Sequence, residues 1–89
     1  MPIVTMFYGL IIRMYYFDTD QHHLPHIHAE YADDNAVFNI EDGEIVTGKL
    51  PKNKTRLVQA WIELHREELM ADWKLACEGL DIFKIEPLK

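Results

Sequence analysis

Four of the five histidines of this chain fall within seven residues, in the run His22-His23-Leu24-Pro25-His26-Ile27-His28-Ala29-Glu30. On a β-strand, residues two apart share a face and lie about 6.6 Å apart. His26, His28 and Glu30 are therefore expected on one exposed face, opposite the apolar set Ile27, Ala29 and Tyr31. Two imidazoles and a carboxylate on a rigid strand, with His23 reaching in from the preceding loop, suit a divalent metal such as zinc. The same imidazoles would also serve as acid and base, or as anion contacts, at a phosphate. The third reading is structural: histidines satisfied by their neighbours on a half-exposed strand.

A second constellation is cationic. Lys49, Lys52, Lys54 and Arg56 occupy eight residues without an acid. They stand where a helix is expected to begin, and cations there oppose the helix dipole by about 0.3–1 kcal/mol each. Such a group either binds an anion, phosphate or nucleic acid included, or is simply solvated or paired with the acidic turn Glu41-Asp42-Gly43-Glu44. A third candidate is His65. It lies on the apolar stripe of that helix as a packed residue, or acts as an acid or base across from the strand histidines. The chain has no Gly-rich phosphate loop and no Cys-x-x-Cys pair, and its one cysteine, Cys77, is the sole thiol.

The elements that would position these groups are legible from pattern. Residues 3–7 and 10–17 are apolar and β-branched or aromatic around Tyr8-Gly9, which reads as a hairpin. A polar loop over 18–25 ends at Pro25. A third strand is expected from about His26 to Ala32, with Asp33-Asp34-Asn35 as a turn centred near Asp34. A fourth strand follows from about Ala36 to Glu41, with Ala36, Phe38 and Ile40 on its apolar face. Asp42-Gly43 is a strong turn signal, leading to a short strand from Glu44 to Thr47 with Ile45 facing Ile40. No proline or glycine occurs from Lys52 to Glu78. That segment reads as one helix beginning after Pro51 and closed by Gly79. Val58, Ile62, His65, Leu69, Trp73 and Ala76 recur on it at steps of three and four, broadened by Trp61 and Leu64. At about 1.5 Å per residue the helix spans about 40 Å, so it is expected to overhang, bend or pack on a second copy. The tail, Leu80 to Lys89, adds an edge strand or tucks beneath the helix. The expected fold is α+β: an antiparallel sheet of four or five strands covered by one long C-terminal helix, forming a single domain over residues 1–89.

Composition bounds the function. The formal charge is −6, which argues against nonspecific duplex binding, since that depends on many cation–phosphate contacts. A single cysteine forms no intrachain disulfide and fits a reducing compartment. No secretory leader opens the sequence, and the longest apolar run falls far short of the roughly 20 residues of a membrane helix. The expectation is a cytoplasmic protein with no membrane association.

Several pieces carry a resemblance: Met6-Phe7-Tyr8-Gly9, His23-x-Pro25-His26-x-His28, Gly48-Lys49-Leu50-Pro51, Leu57-Val58-x-x-Trp61-x-x-x-His65-x-x-x-Leu69-x-x-x-Trp73 and Ile85-Glu86-Pro87-Leu88. Together they resemble the bacterial and archaeal family catalogued as domain of unknown function 4160. Family members more often show Asp-His-x-Pro-Pro-His-x-His, a pattern that Gln21, His22 and Leu24 interrupt here. The resemblance implies no settled activity. It implies a component of a small two-gene module of the toxin–antitoxin kind.

Three functional expectations follow. The leading one is such a module component, contacting RNA or a small cognate protein partner. As a ribonuclease it would use His26 and His28 as acid and base, while Lys52, Lys54 and Arg56 hold phosphate. The rival is a noncatalytic acidic protein that neutralises a basic partner. The third is a divalent-metal-binding module without chemistry. A homodimer is expected, formed by strand pairing through the first hairpin or by helix packing around Trp61 and Trp73.

Overall fold

The computed structural model describes residues 2–15 and 24–89. Five strands and one helix form there, in the order β1 (Ile3–Phe7), β2 (Leu10–Arg13), β3 (His26–Tyr31), β4 (Asp34–Asn39), β5 (Ile45–Gly48) and α1 (Lys52–Cys77). The strands make one antiparallel meander in sequence order. This is the expected α+β architecture, with five strands.

The local causes are readable in the chain. Tyr8 and Gly9 both take positive φ, 49° and 80°, the two-residue hairpin turn whose twist matches the flanking strands. Alternation then sorts the faces: Leu10 and Ile12 of β2 and Ile27 and Ala29 of β3 are buried toward the helix. Ile27 pairs with Phe38 and Ala29 with Ala36, so the apolar sets of β3 and β4 align as their parity predicts. The connecting turn is Ala32-Asp33, one to two residues earlier than expected, because Tyr31 still pairs with Asp34.

The β4–β5 register departs from expectation. Ile45 pairs with Phe38, not Ile40. The connection is longer than a two-residue turn: Asn39 N donates to Glu44 O and Gly43 N to Asn39 O, while Ile40 N is drawn to the Pro25 carbonyl at 3.0 Å. The Asp42 carboxylate accepts from Glu44 N at 2.8 Å, a local side-chain bond that competes with tight strand pairing.

Helix α1 begins directly after Pro51 and carries no side-chain cap. Its end is a Schellman motif: Gly79 N donates to Ala76 O and Leu80 N to Leu75 O, with Gly79 at φ 74°, the conformation that glycine supplies without strain. Val58, Trp61, Ile62, Leu69, Trp73 and Ala76 are buried against the sheet, each large side chain contributing about 1.5–3 kcal/mol by its removal from water. Two residues of the expected stripe are displaced: Leu64 is 68% exposed, and His65 has non-helical angles, φ −120° and ψ 23°, at a kink. A straight helix of this length would exceed the protein's longest extent of 33 Å. Of the three expected outcomes the helix bends, and the bend keeps Trp73 and Ala76 on the core. Trp61 and Trp73, expected as a packing surface for a second copy, are consumed inside the domain at 0% and 8% exposure.

Of the two outcomes expected for the tail, it tucks beneath the helix; no strand follows α1 among the described residues. Ile85 is buried and its N–H donates to Val4 O at the outer edge of β1, while Trp61 Nε1 donates to Glu86 O at 2.7 Å.

Candidate functional site

The histidine strand splits in two. His28 and Glu30 are half-buried on the sheet face away from the helix, as alternation requires. His28 lies opposite Arg13 of β2, and the Tyr15 ring meets it edge-on at 4.4 Å. Arg13 Nε donates to the Glu30 carboxylate at 3.0 Å. His26 corrects the expectation of a common exposed face. It is 1% exposed, with its ring 4.8 Å from Trp73 of the helix and 5.3 Å from His28. Its Nδ1 lies 2.8 Å from Leu24 O. A carbonyl only accepts, so Nδ1 carries the hydrogen. At the first residue of β3 the helix reaches round the strand end, and alternation no longer decides exposure.

The consequences for metal and acid–base chemistry are direct. Among the described residues no three His, Cys, Asp or Glu side chains converge as a metal ion requires. Glu30, expected as a ligand, is an ion-pair partner of Arg13. His23, the fourth expected ligand, lies outside the described residues. His65 is not brought to the strand histidines either. Its Nδ1 lies 2.7 Å from Glu68 on its own helix, and its ring packs 5.6 Å from Trp61. The pair sits at the kink beside the tail residues Glu86 to Lys89.

The cationic group at the helix start is partly spoken for. Lys54 Nζ donates to Tyr8 O at 2.8 Å and stands 4.7 Å from the centre of the Tyr31 ring, so it ties the first hairpin to the helix. Lys49, Lys52 and Arg56 are exposed. None of the four forms an ion pair with Glu41, Asp42 or Glu44, so the pairing alternative is not realised. Further along, Arg66 meets Glu63 through two nitrogens at 2.9 and 3.2 Å and holds that carboxyl below its ordinary range, which relieves the Glu63–Glu67 repulsion.

One buried group escaped the sequence reading. Asp72 is 2% exposed. Its Oδ1 accepts from Phe83 N at 3.0 Å, whereas Oδ2 is buried without a partner. Its place at helical spacing between Leu69 and Ala76 was the available signal. Burial, assisted by repulsion from Glu68, pushes its pKa up from 3.8. The folded state therefore binds the proton more tightly than the unfolded one, and its stability falls as pH rises through the window above 3.8. Asp72→Asn keeps an acceptor for Phe83 N and removes the charge. Its stability relative to the parent is expected to increase from acidic to neutral pH, as read by parallel denaturant titrations; a gap independent of pH would refute the assignment.

No helix among the described residues is long and apolar enough to cross a membrane. Comparison with curated proteins and with solved structures finds no match. The family model described as domain of unknown function (DUF4160) matches residues 9–74. That match runs from Gly9, the second residue of the first turn, through β2, the histidine strand and the helix as far as Lys74, and the chain belongs to this family.

Proposed function

We propose that this protein is a noncatalytic binding component of a small two-protein module, of the toxin–antitoxin kind that the sequence resemblance implies. The observation that carries this reading is the use of His26 in packing. An acid–base ribonuclease needs two groups within hydrogen-bond reach of one substrate, and His26 is enclosed between Trp73 and His28 with Nδ1 held by Leu24. The cation at the helix start that is best placed to organise the fold, Lys54, is engaged with Tyr8 and Tyr31. What remains for a partner is a surface with net charge −6, suited to a basic protein by long-range attraction.

A second reading rests on Lys49, Lys52 and Arg56, which are exposed without ion-pair partners and would hold single-stranded RNA. The two are separated by a direct assay. The purified chain is expected to leave a single-stranded RNA intact, and its expression alone in bacteria is expected to permit growth. The adjacent gene's product, co-expressed, is expected to purify with it in a salt-sensitive complex. RNA cleavage or growth arrest abolished by His28→Ala would overturn the noncatalytic reading. RNA retention lost in Lys52→Glu would favour the second.

A further inference from the structure

Beyond that reading, the outer face of the helix carries a pattern that matches itself. After the kink, Glu67, Met70, Ala71 and Lys74 follow one another at steps of three, one and three, so they form a single stripe. Glu67, Ala71 and Lys74 are exposed and Met70 half-buried. Met70 packs in part against the core at its edge, while Glu67, Ala71 and Lys74 face outward. With Leu75 and the 73% exposed ring of Phe83 the stripe lines an open apolar groove of about 600 Å³. The Asp72 carboxylate accepts from Phe83 N at 3.0 Å, which anchors the backbone of Phe83 beside the groove.

We propose that this groove is the seam of a homodimer, in which two copies pack their helices antiparallel about a two-fold axis between Met70 and Ala71. The charges select the occupant and its direction. In that arrangement Met70 meets the partner's Ala71, and Glu67 meets the partner's Lys74 at both ends of the seam. A parallel pair would set Glu67 against Glu67. A different protein would have to carry the same acid–apolar–base order in reverse, which a second copy supplies by symmetry. The small side chain of Ala71 at the centre lets the helices approach closely, and Phe83 from each copy closes the flank. A C2 interface of this kind is self-complementary by construction. The seam is short compared with the about 800 Å² per partner of a standard interface, so the dimer dissociates at micromolar concentrations.

Sedimentation equilibrium of the full chain, from low micromolar to several hundred micromolar, tests this. The chain is expected to pass from monomer to dimer over that range. Ala71→Arg is expected to leave a monomer throughout. Glu67→Lys and Lys74→Glu are each expected to weaken association by about tenfold or more, because each puts like charges at both ends. The two single variants, mixed, are expected to regain the parental affinity as a heterodimer, since every end pair is again opposite in sign. That recovery needs both variants folded, so it also controls for structural damage. Phe83→Ser, which alters only an exposed tail ring, is expected to weaken the dimer independently. A monomer at every concentration overturns the proposal. So does a dimer indifferent to Ala71→Arg, or a mixture of the two charge variants that stays as weak as each alone.

Discussion

Gly48→Ala is expected to remove about 3–5 kcal/mol of folding stability, about 1–2 from the left-handed backbone and the remainder from overpacking. Gly48 ends β5 at φ 79°. A Cβ there would stand 2.3 Å from the Asn35 carbonyl oxygen and 2.9 Å from the Ala36 Cα. Both are backbone atoms of β4, the strand to which Gly48 is paired, so neither can swing aside as a side chain would. Relief requires β5 to part from β4 and would also break the Lys49 N to Asn35 O bond at 3.0 Å. A folded chain of 89 residues has about 4–13 kcal/mol in total, so the variant is expected to lose a large share of its stability. Gly43→Ala is the control. Gly43 has a similar φ of 75°, but a Cβ there meets nothing within 4 Å, so only the backbone cost of about 1–2 kcal/mol remains. Urea titration of both variants checks this: equal losses would mean that β5 yields freely and that the close approach carries no cost.

What the sequence discloses and what it withholds divide along range. Hairpin turns, face parity and helix limits are local, and Tyr8-Gly9, the Ile27/Ala29 pairing with Phe38/Ala36 and the Pro51-to-Gly79 helix all follow from patterns a few residues wide. The departures come from contacts between distant segments. Ile45 misses Ile40 because the Pro25 carbonyl captures Ile40 N. His26 is buried because Trp73 of the distant helix packs on it. The candidate residues behave alike: alternation places His28 and Glu30, but the cross-strand Arg13 that claims Glu30 depends on the β2–β3 register. Trp61 and Trp73 look equally suited to a core or a dimer seam in one dimension. Only the packed fold shows that they are spent on the core.

His26 offers the sharpest separation of structural from chemical roles. His26→Ala is expected to cost about 2–4 kcal/mol, comparable with other buried large-to-small replacements, and to lower the melting temperature by roughly 10–25 °C for a domain of this size. The loss has two parts. The ring is 1% exposed and fills the space between Trp73 and His28, so its removal leaves a void that the helix and strand can only partly close. The hydrogen bond to the Leu24 carbonyl, 2.8 Å away, is also lost, at the usual net cost of about 0.5–1.5 kcal/mol. His28→Ala supplies the contrast. Its ring is half-buried on the open sheet face and contacts Tyr15 at its edge, so about 1 kcal/mol is expected, the usual cost of a point substitution. A catalytic pair would reverse the ranking of consequences: both variants would keep their stability and both would lose activity. Melts of the two proteins side by side decide between these outcomes, and a His26→Ala protein melting within a few degrees of the parent would return this histidine to the list of groups free for chemistry.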